Sequence, residues 1–296
     1  MKSKRFLRLI GILLSTFLLS GCRQLLNADV GTPVPAQETK GYVESIYYEI
    51  TDLDRRTEYS DKIEINMYNL TADKIDMENY TYDEGYLTIH KGGDYILSGK
   101  KDNCNLVIKA YDDEVVHLIF NDVELHAETG PVLYGEQAGK IIITLAEDTE
   151  NYIYDSAEYA SDAEACIFSN CDLTINGGGS LSAYGYYHDA VRSKDRLKVI
   201  GANLYIRAKN NGIRGNDGVV IEESNIEVEC EGTGILANDE QACIAVQGGR
   251  LKVTAGENAI YADSSVSVKN CLSDLYSVQE AIRCGGKIDV DEESTK

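Results

Sequence analysis

From Ile167 onward the apolar positions of this chain return on a fixed beat. Ile167, Val191, Ile213, Ile235, Ile260 and Ile282 are separated by 24, 22, 22, 25 and 22 residues. Each sits in a corner of small and polar residues, as in "HDAVRSKD", "NNGIRGND", "GTGILAND", "ENAIYADS" and "QEAIRCGG". Six and eight residues later comes an alternating apolar pair: Leu173/Ile175, Leu197/Val199, Val219/Ile221, Val266/Val268 and Ile288/Val290. The coil of Ile235 reaches its own pair, Ile244/Val246, after three extra residues. A third pair follows, as in Leu204/Ile206, Ile226/Val228 and Leu251/Val253. Such alternation marks short strands with one buried face, and the Gly, Asn and Asp between them mark tight turns.

One coil of this kind cannot cover its own apolar side, but coils stacked ~4.8 Å apart bury a continuous column. Three short strands per repeat therefore predict an all-β fold, a single parallel β-helix of about 22 residues per coil. No helical stretch is long enough for βαβ units. An antiparallel sandwich, the alternative for so many short strands, would carry no such register. Upstream, Leu87/Ile89, Tyr95/Leu97, Leu106/Ile108, Leu118/Phe120 and Val132 followed by Ile141/Ile143 continue the style with looser spacing. The β-helix is expected over 81–296, with 41–80 covering its open end as solenoids require. The charged tail "DVDEESTK" is expected to discourage edge pairing at the other end.

The first residues follow a different rule. Lys2, Lys4, Arg5 and Arg8 precede an apolar run from Leu9 to Leu19, and then comes Leu19-Ser20-Gly21-Cys22. A basic start, a short apolar segment and a small-residue cleavage site describe an export signal over 1–21. The final four resemble the bacterial lipobox, which implies cleavage before Cys22 and a lipid on that residue. A plain secretory signal or a buried helix is the alternative. Residues 22–40, with Pro33 and Pro35, read as a spacer between anchor and body. The expected location is the outer face of a bacterial cell membrane.

Composition narrows the partners. The formal charge is −21, and removal of the four basic residues of the signal makes it −25. Such a chain repels nucleic acid, whose binding rests on Lys and Arg neutralising phosphates, and it carries no basic patch for a membrane surface. There is no Trp, so any stacking platform falls to the 20 Tyr. Seven cysteines remain besides Cys22: Cys104, Cys166, Cys171, Cys230, Cys243, Cys271 and Cys284. An odd number cannot pair fully and no CxxC metal pair occurs. Most read as small buried thiols suited to a reducing niche; a few disulfides between neighbouring coils are the alternative.

Five segments carry a family resemblance: "GGDYILSGK", "VVHLIFNDVEL", "GPVLYGEQAGKIIITLAEDTEN", "CDLTINGGGSLSAYG" and "NNGIRGNDGVVIEESNIEV". Together they resemble a clostridial carbohydrate-binding β-helix family, whose N-terminal segment "ITDLDRRTEYSD" also resembles. The likeness spans nearly all of 45–290. It implies a right-handed parallel β-helix related in fold to calcium-dependent pectate lyases. It also implies binding of cellulose-like or acidic plant polysaccharides without an established catalytic centre. Relatives often carry further Gly-rich coils beyond the point matching Ile282, and any site on such coils is expected to be absent.

Three candidate sites follow from the stacking. If Ile167 and its equivalents face inward, the next residues form an outward column: Phe168, Arg192, Arg214, Leu236, Tyr261 and Arg283. The Arg forks and aromatic faces suit a uronic-acid chain; alternatively they pair with nearby carboxylates. Tyr152, Tyr154 and Tyr159, with Tyr184, Tyr186, Tyr187 and His188 one coil later, should share an edge and suit sugar binding, or else pack as a cap. Asp189, Asp195, Asp217 and Asp239, with Asn211, Asn258 and Glu280, form oxygen-only clusters that favour Ca²⁺, although tight turns want the same residues. Catalysis has weaker grounds. Arg192, Arg214 or Lys194 would have to serve as the base of a uronide elimination, and with 49 acidic residues a carboxylate pair carries no weight. No nucleophile, phosphate-loop or HExxH motif occurs. The expected function is non-catalytic polysaccharide binding by a surface lipoprotein. The competitors are a calcium-dependent lyase and a structural or adhesive surface protein.

Overall fold

The corner residues pair as parallel neighbours in the order their spacing predicts: Ile167 with Val191, then Ile213, Ile235, Ile260 and Ile282. Leu173 likewise pairs with Leu197, followed by Val219, Ile244, Val266 and Ile288. The third set runs Leu204, Ile226, Leu251. The extra residues before Ile244 are absorbed in a turn where Gln241 takes a positive φ of 71° and Ala242 N–H donates to the Asp239 carbonyl. One upstream position differs from expectation. Leu133, not Val132, stands in the column between Leu106 and Ile167.

The computed structural model describes residues 49–72, 76–159, 162–291 and Ser294. The expected signal over 1–21, Cys22 and the spacer to residue 40 lie outside the described residues. The chain forms a β-solenoid of about eight turns. Its strands fall into a 10-stranded and a 16-stranded sheet. The 10-stranded sheet is the first face, holding the corner residues. The larger sheet folds into the second face, with the Leu173 column, and the third, with the Leu204 column. The strand Val115–Ala127 joins them, pairing through its first half with Lys140–Leu145 and through its second with Glu150–Asp155. Among the described strands only the hairpin of Tyr80–Asp83 and Tyr86–Ile89 is antiparallel.

Inside the three faces lies one apolar column, fully buried from Leu87 to Val268. Aliphatic residues fill most coils, and Tyr95 and Phe120 fill the first ones, Tyr95 donating its hydroxyl to the Lys91 carbonyl at 2.9 Å. Small residues stand two positions after each corner residue, at Gly135, Ser169, Ser193, Gly215 and Ala237. The corner between first and second faces needs them: a Cβ on Gly135 would strike the Ile141 side chain, and one on Gly215 the Gly218 carbonyl. All seven cysteines of the described residues keep their thiols, and Cys104, Cys166, Cys171 and Cys271 are buried. No disulfide joins the coils. Burial pushes the Cys104 and Cys271 thiols up to about 11.

Parallel stacking sets like position on like position, which would repel in so acidic a chain. Basic residues on one coil instead meet acids on the next: Lys100–Glu124 at 2.7 Å, Lys109–Glu136 at 2.7 Å, Arg207–Glu229 at 2.9 Å, Lys209–Glu231 at 2.6 Å and Lys252–Glu227 at 2.6 Å. Each pair is exposed to solvent, so its direct gain is small. Their value is in what they prevent.

The segment expected to cover the solenoid end divides in two. Lys62–Asn66 does extend the end, pairing with Gly93–Lys101. Residues 49–58 instead form a strap along the second face. Asp54 is fully buried there, bonded to Lys140, to Lys198 at 2.8 Å and to the Thr174 hydroxyl at 2.9 Å. Arg56 reaches Asp94 at 2.6 Å, and Arg55 pairs with Glu222. The strap thus ties the coil of Asp94 to that of Glu222. Burial alone would raise the Asp54 carboxyl, but the Lys140 and Lys198 ammoniums hold it well below the usual carboxylate range. Its stabilisation is therefore complete above the ordinary carboxylate pKa of about 4 and is lost only as the pH falls further. Asp54→Ala leaves the Lys140 and Lys198 ammoniums without a counter-ion and is expected to cost about 3–5 kcal/mol in urea unfolding at pH 7. A loss below about 1 kcal/mol would mean that the strap does not brace the stack.

Candidate functional site

On the third face, Leu181 and Ala183, then Leu204 and Ile206, point inward, so Ser182, Tyr184, Tyr205 and Arg207 point out. Register turns these into two adjacent columns. One reads Glu124, Tyr152, Ser182, Tyr205, Glu227, Lys252; the other His126, Tyr154, Tyr184, Arg207, Glu229. Ser182 is thus a small floor between two tyrosines that stand two coils apart, about 9.6 Å at ~4.8 Å per coil. Tyr205 is 51% exposed and Tyr152 38%. The stretch "NGGGS" keeps one end open. A Cβ on Gly178 would strike the Glu147 carboxylate, and one on Gly179 the Ala146 carbonyl, so the turn lies flat against the preceding coil.

The result is a shallow groove. A hollow of about 500 Å³ lies between Tyr152, Ser182 and Tyr205, with Asp148, Glu150 and Asn203 at its edge. It runs into a second of about 420 Å³ lined by Tyr184, Arg207, Glu227 and Glu229. Tyr152 donates to Glu150 at 2.9 Å, Tyr154 stacks on His126 at 4.7 Å, and Tyr184 on Tyr186 at 6.0 Å. Asn225 donates to Asn203 at 2.9 Å. Flat rings, hydroxyls, amides and carboxylates suit the apolar faces and hydroxyls of sugars. The cations at the rim are engaged, Arg207 with Glu229 and Lys252 with Glu227.

The tyrosines singled out from sequence are brought together, though not all on one surface. Tyr152 and Tyr184 line the groove, with Tyr186 exposed beside it, and Tyr154 stands one coil before Tyr184 in its column, whereas Tyr187 turns away to pack on Tyr159 at 4.0 Å. Asp155 fixes this corner. It is buried, accepts from Tyr186 N–H at 2.6 Å and from the Tyr159 hydroxyl at 3.1 Å, and burial pushes it up to about 6.

The outward column on the first face forms in register, but most of it is covered. Phe168 is buried against Ala163, Ala165 and Tyr134. Arg192 retains 12% side-chain exposure, lying 5.5 Å from the Phe168 ring and 3.5 Å from Glu164. Arg214 retains 15% and bonds Asn216 and Asn238, and burial with Arg192 nearby lowers its pKa. The reason is the insert before Ala165, whose Ala163 and Glu164 pack onto this column. Only its far end is open, where Arg283, 54% exposed, lies 5.6 Å from the Tyr261 ring and Tyr261 bonds Asp263.

The four aspartates do not converge. Asp189 is buried and accepts from Asn211 N–H and Asn211 Nδ2, both at 2.9 Å, with His188 at 3.0 Å. It serves the turn into the first face. Asp195 and Asp217 lie in the next turn of successive coils, where burial and neighbouring Asp172 and Asp217 raise the Asp195 pKa; Asp239 is exposed one coil further. Among the described residues no three His, Cys, Asp or Glu side chains form a group able to hold a metal. The four positions lie at turns of the coils. Tyr205, Ser182 and Arg207 were missed from sequence, although the alternation of Leu204 and Ile206 already marks Tyr205 as outward.

The family model of the carbohydrate-binding domain-containing proteins matches residues 83–295. A carbohydrate-binding domain-containing protein of Acetivibrio thermocellus is 26% identical over 241 residues, covering 78% of this chain and 84% of that one. Among solved structures, a polysaccharide lyase-like protein from C. thermocellum, in a gadolinium derivative, matches with a TM-score of 0.73. Its identity is 25%, over 79% of this chain and 98% of that chain.

A carboxyl raised in the folded state favours folding when protonated, so the Asp155 contribution declines as pH rises from about 4 through about 6. The stability of the wild type minus that of Asp155→Asn is therefore expected to fall by about 2 kcal/mol between pH 4 and 7.5. Paired thermal melts across that range measure it, and a flat difference would remove Asp155 as the titrating anchor.

Proposed function

The chain belongs to the carbohydrate-binding domain-containing protein family, and from that premise we propose that it binds a neutral, cellulose-like polysaccharide along its third face without cleaving it. The observation that carries this reading is the slot of Tyr152, Ser182 and Tyr205. Two exposed rings flank a small floor, the polar groups around them are amides, hydroxyls and carboxylates, and Arg207 and Lys252 are engaged by acids. An acidic glycan would meet Asp148, Glu150, Glu227 and Glu229 without free cations to answer them. The polysaccharide lyase-like neighbour supports a polysaccharide as the ligand, and binding without elimination fits a groove whose cations are neutralised.

Tyr205→Ala and Tyr152→Ala should each weaken binding of cello-oligosaccharides by about 1–2 kcal/mol, measured by calorimetry. Arg192→Ala is expected to lower stability and leave that affinity unchanged. Tighter binding of polygalacturonate than of cello-oligosaccharides, or unchanged binding by both tyrosine variants, would overturn the reading. Release of ultraviolet-absorbing unsaturated products would make the protein a lyase instead.

The same reading holds the protein on the outer face of a bacterial cell membrane through a lipid on Cys22. The basic start, the apolar run to Leu19 and the Leu19-Ser20-Gly21-Cys22 sequence support it. Cys22→Ser should shift the protein from the detergent phase to the aqueous phase on Triton partitioning; retention in the detergent phase would exclude the anchor.

A further inference from the structure

The strap along the second face covers a surface unlike the other two. Beneath it lie His117, Thr144, Thr174, Asn176 and Lys198, outward-facing polar residues that are nonetheless buried. Within residues 49–60 only Asp54 is buried, so apolar contact contributes little to holding the strap. Donors contribute most. Lys140, Thr174 and Lys198, from three successive coils, converge on the Asp54 carboxylate. Asn176 Nδ2 donates to the carbonyls of Asp54 at 2.8 Å and Arg56 at 2.9 Å, and Lys198 donates to the Glu49 carbonyl at 2.8 Å. The cradle reads its occupant through oxygens, one charged pair and several neutral ones presented by a turn of chain.

The origin of the charge matters. The basic residues of the third face meet acids belonging to the solenoid itself, whereas the salt bridges of Lys140 and Lys198 are both to the strap. Without the strap, this face would offer two ammoniums, a hydroxyl and an amide from three successive coils, between the acids Asp94 and Glu222.

We propose that the second face is a binding groove for a carboxylate-bearing glycan, a uronate chain, and that Asp54 stands where the ligand's carboxylate would bind. The strap is then a competitor in cis. It masks the groove until displaced, and the apparent affinity is reduced by the fraction of time the strap is released. The site is distinct from the tyrosine slot and takes the opposite class of sugar. An acidic peptide would present the same carboxylate. The cradle side chains, however, bond no strap N–H and form no ladder with it, which favours a ligand rich in oxygen acceptors.

The test uses the full chain and oligogalacturonate in calorimetry. Arg55 and Arg56 hold the strap through Glu222 and Asp94, outside the carboxylate cradle. The double variant Arg55→Ala/Arg56→Ala should therefore bind oligogalacturonate about tenfold or more tightly than the wild type. It should do so despite two lost positive charges, and added Lys198→Ala should abolish the gain. Cello-oligosaccharide affinity, set by the third face, should stay unchanged, which separates this outcome from failure of the tyrosine reading. No gain while hydrogen exchange across 49–58 accelerates, or a gain for oligo-aspartate and not for oligogalacturonate, overturns the proposal. If the double variant does not fold or its strap stays protected, Asp54→Asn decides. Oligogalacturonate should raise its melting temperature above that in sodium chloride of equal ionic strength, and an equal melting temperature overturns the proposal.

Discussion

Everything in this molecule depends on one coil being unable to bury its own apolar side. Each coil gains its interior only from the coils above and below, at a separation of ~4.8 Å. A residue is therefore defined less by its sequence neighbours than by its counterparts about 22 positions away. Ile167, Val191 and Ile213 form an interior because they coincide. By the same rule Tyr152, Ser182 and Tyr205 form a slot, and Lys252 neutralises Glu227.

The three faces meet this constraint differently. The first buries much of its outward column beneath a local insert, turning Phe168 and Arg192 into packing residues. The second is covered by a strap from outside the repeats, fastened by ionic and polar bonds from Asp94 to Glu222. The third is left open, and there the outward tyrosines stay available. A repetitive scaffold thereby gives one packed, one masked and one accessible surface, with the difference made by segments that break the repeat.

That division explains what could be read from the sequence. The register of the coils was legible because it is written in apolar positions whose partners recur at a nearly constant interval. The solenoid and the columns follow from it, including the column of Arg192, Arg214 and Arg283. Exposure was not legible, since it depends on non-repeating segments such as Ala163–Glu164 and the strap. "ITDLDRRTEYSD" shows no periodicity, and its partners are scattered from Asp94 to Glu222, so its pattern alone does not assign it to the second face. The aspartates are ambiguous for a related reason. Turn geometry and cation binding favour the same residues, and only the burial of Asp189 against Asn211 separates the two. Tyr205 could have been found by asking which outward residues have a small neighbour on the adjoining coil.

The charge pairing between coils also limits how such a chain can evolve. Apolar columns tolerate the loss or duplication of a coil, because aliphatic residues are interchangeable along them. The surface is not so permissive. Excising the coil of Arg250 and Lys252 would bring Glu227 against Asp274, replacing two attractions with one repulsion. Lengthening or shortening by whole coils must therefore respect a grammar of alternating sign, and the repeat that looks modular from inside is ordered from outside.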